Sequence, residues 1–83
     1  MAEIVYTRSS LKELMRIGSV ERARIVAKVE QYSRDPGSLA NQVKALKGNA
    51  GFRLRVGDYR VIFAADGGRI VILKAGRRRD VYE

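Results

Sequence analysis

The 83-residue chain contains no cysteine and no histidine, and it is short of negative charge, with nine Asp and Glu against seventeen Lys and Arg. Without cysteine there is neither a disulfide nor a thiolate nucleophile. Without histidine the usual acid–base group at neutral pH and the commonest metal ligand are both missing, so neither a metal nor a cofactor is expected. No apolar run is long enough to span a bilayer, and the N-terminal MAEIVYTRSS lacks the basic and then hydrophobic layout of a signal peptide. These absences predict a soluble cytoplasmic protein with no membrane partner. The hydrophobic fraction of 46% suits a folded chain, and the length predicts one domain spanning residues 1–83.

What the chain has in excess is positive charge, and it is unevenly spread. Residues 1–41 carry a net charge of +2 and residues 42–83 a net charge of +6, making up the total of +8. A basic excess gathered in one half is the electrostatic footprint of a nucleic-acid binder. Composition by itself leaves a membrane-surface patch and a plain solubility charge open as well.

The half with the excess contains the clearest pattern, FRLRVGDYRVIF at 52–63. Phe52, Leu54 and Val56 alternate with Arg53 and Arg55, and after Gly57-Asp58 the residues Tyr59, Val61 and Phe63 alternate with Arg60 and Ile62. Two period-2 strands joined by a two-residue turn predict a hairpin with one apolar and one basic face. In this register Arg55 lies directly across from Arg60. Facing like charges destabilise a sheet by roughly 0.2–1 kcal/mol, and a polyanion lying on that face would relieve the repulsion.

The rest of the chain reads in order as a strand at Glu3 to Thr7, a helix capped by Ser9 or Ser10 and ended by Gly18, and a second helix of about 16 residues ended by Asp35-Pro36-Gly37. The first helix shows Leu11, Leu14, Met15 and Ile17 as its apolar face, and the second shows Ala23, Ile25, Val26, Val29 and Tyr32. Ser38 to Ala50 is the least patterned segment, in which Val43 and Leu46 are expected to tuck a short helical turn against the sheet, leaving Lys44 and Lys47 exposed. Gly67-Gly68 makes a second hairpin turn, followed by a strand at Arg69 to Ala75. With that turn, Phe63 faces Ile72 and Arg60 faces Ala75, which brings Arg77 and Arg78 next to Arg60. The fold class is α+β: an N-terminal strand, a two-helix hairpin and an antiparallel three-stranded meander in one sheet, helices on one face and arginines on the other. The first strand pairs in parallel with a later one in the simplest closure.

Taken singly, each arginine is most simply a solvated surface residue. Clustered across strands, Arg53, Arg55 and Arg60 with Arg77 and Arg78 suit an extended phosphate backbone, because a guanidinium stays charged and offers a planar fork of donors. Tyr82 read alone packs its ring on the sheet edge.

GDYRVIF, a following strand and then GRRRDVYE, together with the opening strand, the paired helices and the K-x-L-K-G segment at 44–48, resemble the RelE family of bacterial toxins within the RelE/ParE superfamily. The resemblance spans essentially the whole chain. It implies a small ribonuclease that enters the ribosomal A site, cuts messenger RNA by 2'-hydroxyl attack on the adjacent phosphate, and is silenced by a cognate antitoxin. It also implies roles: Arg60 holds the scissile phosphate, Arg78 stabilises the transition state and leaving group, and Tyr82 is the general base. Arg53, Arg55, Lys44, Lys47 and Arg77 are the corresponding RNA-binding cations.

Arg53 and Arg55 stand where better-known members have lysine, which keeps the charge and gives up a group able to release a proton. The short stretch between Gly76 and Tyr82 leaves both Arg77 and Arg78 as candidates for the second catalytic arginine. A tyrosine with an ordinary pKa is only about 0.1% ionised at neutral pH, so the implied chemistry depends on the arginines stabilising a phenolate and on the ribosome orienting the RNA. Two other functions fit the same residues: a ParE-like DNA gyrase poison, and a nucleic-acid-binding toxin homologue without catalysis.

Overall fold

In the computed structural model, which describes residues 2–48 and 51–81, the element order is β1 (Glu3–Tyr6), α1 (Arg8–Met15), α2 (Ser19–Arg34), a 3-10 segment (Pro36–Gln42), β2 (Val43–Ala45), β3 (Phe52–Val56), β4 (Tyr59–Asp66), β5 (Arg69–Arg77) and a 3-10 turn (Arg78–Asp80). The strands form one five-stranded sheet in the order β1-β5-β4-β3-β2, with β1 parallel to β5 and the other pairs antiparallel. The expected α+β arrangement, the central meander and the parallel closure by the first strand are all present.

Thr7, not Ser9 or Ser10, caps α1. Its Oγ1 accepts from Ser10 N–H at 3.2 Å and donates to the Ile72 carbonyl at 3.0 Å, while its own N–H reaches the same carbonyl at 3.1 Å. One residue thus ends the β1 ladder and starts the helix, satisfying an orphan helix donor as it does so. The expected apolar faces are too wide. Leu14 is buried and Ile17 half-buried, but Leu11 and Met15 are 49% and 70% exposed, and Ala23 on α2 faces solvent while Ile25 and Val29 are buried. Two short helices cover one sheet face with one stripe each, and residues outside that stripe remain wet.

The core between helices and sheet gathers Leu14, Ile25, Val29 and Leu39 against Leu54, Val56, Val61, Phe63, Ile70, Ile72 and Ala75. Phe63 is its hub, stacked on Phe52 at 5.4 Å between ring centroids and tilted against Tyr32 at 5.1 Å.

The helical turn expected around Val43 and Leu46 is instead a fifth strand. Val43 pairs with Leu54 on the core side, Lys44 with Arg53 on the other side, and Ala45 with Phe52. The helical geometry falls earlier, at Pro36–Gln42, where proline opens the turn and buried Leu39 ties it to the core. A β-branched valine beside a free strand edge gains ladder bonds that an isolated helical turn cannot supply.

The register of β4 against β5 departs from the simple hairpin count. Phe63 does face Ile72, but an irregularity between Ile62 and Phe63 leaves Leu73 as an extra residue, so Ile62 faces Lys74, Val61 faces Ala75 and Arg60 faces Gly76. One inserted residue exchanges the faces of everything after it.

Candidate nucleic-acid interface

The sheet face turned away from the helices carries two rows. Lys44, Arg53, Ile62 and Lys74 lie across β2, β3, β4 and β5, and one pleat further on Arg55 faces Arg60, which faces Gly76. The expected Arg55–Arg60 opposition is present. The guanidinium of Arg60 is turned along its own strand, with Nη1 donating to the Gly57 carbonyl at 3.1 Å and to the Tyr59 carbonyl at 3.0 Å. Its charge therefore sits at the hairpin turn.

The same turn holds the tail. Arg78 N–H donates to the Asp58 carbonyl at 2.8 Å, directly after the Tyr59–Arg77 pair that ends the ladder. Beyond the 3-10 turn the chain folds back, so that a Cβ built on Gly76 would come within 3.1 Å of a Val81 methyl. Gly76 is opposite Arg60, and the absence of its side chain is what lets Val81 close over this face. There Val81 joins Leu46 and Ile62 in a second apolar cluster separate from the main core. The basic face therefore has a small apolar patch between its cations and is not wholly open.

Of the residues singled out from sequence, Lys44, Arg53, Arg55 and Arg60 share this face, and Arg78 is attached to its turn end. Arg77 does not join them. Opposite Tyr59 in the ladder, it lies on the helix side and lines a cleft with Glu13, Arg16, Ile17, Tyr59 and Asp80, while at the strand's end it also borders Asp58, Arg78 and Arg79. The inserted Leu73 is the physical cause, since it exchanges the faces of the residues that follow. Lys47 is exposed beyond the end of β2, and Tyr82 lies outside the described residues. Asp80 approaches Arg79 at 4.0 Å in an exposed pair.

Lys74 was not singled out from sequence, although it extends the upper row by one cation. Only the bulge puts it there, and nothing in RIVILKA advertises a bulge. Among the described residues no group of three or more Asp, Glu, His or Cys could hold a metal ion, and no helix is long and apolar enough to cross a membrane.

The fold, two helices on one face of a five-stranded mixed sheet, matches that of solved RelE toxin structures. The toxin–antitoxin complex RelBE2 from Mycobacterium tuberculosis is similar with a TM-score of 0.80 at 23% identity, over 93% of this chain and 98% of that one. The RelE–RelB complex from Pyrococcus horikoshii is similar with a TM-score of 0.77 at 24% identity, over 93% and 94%, and the E. coli RelBE complex with 0.74 at 21%, over 93% and 96%. No curated protein matches the chain in sequence. The family described as the ParE toxin of type II toxin-antitoxin system, parDE, matches residues 4–82, and the chain belongs to that family, within the RelE/ParE superfamily of type II toxins.

Proposed function

We propose that this toxin is a metal-independent endoribonuclease that cuts messenger RNA in the ribosomal A site and so stops translation in the cytoplasm, as a single domain over 1–83. The observation that carries the reading is the Gly57-Asp58 turn, which takes the Arg60 guanidinium on one carbonyl and the Arg78 amide on the next. The Arg60 guanidinium and the Arg78 backbone are thereby tied to the same hairpin turn, at one end of the basic face. Lys44, Lys47, Arg53, Arg55 and Lys74 would grip the flanking phosphates, an electrostatic contact that needs no base recognition.

In the reaction the 2'-oxygen forms a bond to phosphorus, the bond to the 5'-oxygen breaks, and the products are a 2',3'-cyclic phosphate and a free 5'-hydroxyl. Arg60 holds the phosphate and Arg78 stabilises the charge that builds on it. Fixed donors aimed at developing negative charge are the strongest aid that a site of this kind can give to the reaction. Tyr82, as its phenolate, removes the 2'-hydroxyl proton and becomes the neutral phenol, and water protonates the leaving 5'-oxygen. Arg78 is favoured over Arg77 for stabilising that charge because the ladder position of Arg77, opposite Tyr59, falls on the helix side.

The partner that silences it is a cognate antitoxin, acidic where it crosses the arginines; the similar solved structures include complexes of RelE with RelB. Because the matching family is that of the ParE toxin, a second reading is a ParE-like gyrase poison. Inducing the toxin and mapping messenger RNA ends and DNA breaks separates the two. Cuts within translated codons that disappear in folded Arg60→Ala and Arg78→Ala variants support the nuclease. DNA breaks with intact messenger RNA, or full toxicity in both variants, sink it.

A further inference from the structure

β1 covers only the first part of β5. Its last pair is Tyr6 with Ile72, after which Thr7 turns into α1, and among the described residues the outer edge of β5 from Leu73 onward has no strand beside it. That uncovered edge includes the bulge and leads straight to Gly76, Arg77 and Arg78. After the bulge the β4 pairing and the buried Ala75 fix the register from the inner side, and a shift of one residue here would exchange the faces of Lys74 and Arg77.

A side chain from α1 reaches that edge. Glu13 on α1 accepts the Ala75 N–H on Oε1 at 3.0 Å, a bond between residues 62 apart in sequence. Ala75 lies two residues past the bulge and one before Gly76, and its own side chain is buried in the core. The carboxylate takes the place that a backbone carbonyl of a longer β1 would have occupied, and as an ionised acceptor it makes the stronger class of hydrogen bond. Glu13 also lines the cleft shared by Arg16, Tyr59, Arg77 and Asp80.

We infer that Glu13 is a positioning residue for the basic site: its bond to Ala75 holds the bulged end of β5 in the register that sends Arg78 to the Asp58 carbonyl and leaves Gly76 opposite Arg60. The inference rests on the proposed nuclease for its kinetic consequence and on the fold alone for its structural one. Glutamine keeps an acceptor oxygen at the same reach, whereas alanine removes it.

The test compares wild type, Glu13→Ala and Glu13→Gln in the full chain, by amide hydrogen exchange and by cleavage of messenger RNA on ribosomes. In Glu13→Ala the Ala75 amide is expected to exchange about ten-fold faster or more, as fits loss of a hydrogen bond to a charged acceptor, while Val61 and Phe63 keep wild-type protection. In the same variant kcat falls about ten-fold with KM within about two-fold, and Glu13→Gln, with a neutral acceptor at the same reach, recovers most of both readouts. Unchanged exchange at Ala75, an equal loss of protection at Val61 and Phe63, or unaltered kcat beside faster Ala75 exchange would each overturn the inference. If wild type itself cuts no RNA, the nuclease reading fails, and the exchange results alone decide whether Glu13 holds this register.

Discussion

The hairpin turn that joins Arg60 to Arg78 depends on a backbone conformation that the same chemical change, made at two glycines, can isolate. Gly57 has φ +59°, and a Cβ added there meets nothing within 4 Å. Gly37, in the 3-10 segment, does not have positive φ, and its added Cβ meets only Asp35 Oδ1 at an ordinary 3.7 Å. Both alanine substitutions reduce the freedom of the unfolded chain, which stabilises by roughly 0.4–1 kcal/mol. Only Gly57→Ala adds a left-handed φ on a residue with a Cβ, at about 1–2 kcal/mol. Since the unfolded-state effects cancel in the comparison, Gly37→Ala should exceed Gly57→Ala in stability by about 1–2 kcal/mol. For a domain of this size that corresponds to roughly 4–16 °C in Tm. Thermal unfolding followed by circular dichroism measures it directly. Midpoints that move together, or a gap below about 2 °C, would refute the assignment of strain to the turn. If the turn also fixes Arg60 and Arg78, Gly57→Ala loses RNA cleavage at temperatures where it is still fully folded, and Gly37→Ala does not.

Tyr6 packs against the core with its hydroxyl buried and, among the described residues, without a hydrogen-bond partner; burial, reinforced by the nearby Glu30 carboxylate, raises its pKa above the ordinary 10.0. A raised folded value means its contribution is complete below the unfolded pKa and is lost as pH climbs from about 10 through the folded pKa. Urea titrations at stepped alkaline pH should show a decline in stability that is smaller in Tyr6→Phe. At neutral pH that variant should be unchanged or up to about 1 kcal/mol more stable, because it deletes an unpaired buried hydroxyl; a clear loss at neutral pH would show that the hydroxyl has a partner. Lys74→Ala, judged from its place in the row with Lys44 and Arg53, should weaken binding of single-stranded RNA regardless of sequence and make the log–log salt slope shallower by about 0.7. An unchanged slope would remove Lys74 from the interface.

How much of this could be read beforehand follows the range of the signals. The β3–β4 hairpin was legible because alternation and a Gly-Asp turn are local, and its register came out residue for residue: Phe52 with Phe63, Leu54 with Val61, Arg55 with Arg60. The strand at Val43 was not, since three residues carry too little pattern and its formation depends on the free edge of β3. The side of the sheet on which Arg77 falls was not legible either. Counting from Gly67-Gly68 gives the correct partner at Ile72 and fails at the very next residue, because a bulge has no residue signature in this strand.

That failure bears on what the basic face can be. Had the register continued unbroken, Arg60 would face Ala75, whose methyl is instead buried on the helix side. With the bulge, Arg60 faces a glycine, and the vacant position above that glycine is taken by Val81, which the tail delivers together with the arginines before it. Val81, Ile62 and Leu46 supply an apolar contact on a face that like charges would otherwise push apart. The small second cluster thus offsets the repulsion locally and anchors the tail at once. The two features a sequence reading finds hardest to see, an inserted Leu73 and a glycine opposite an arginine, are the ones that bring Lys74 onto the basic face and seat the tail over it.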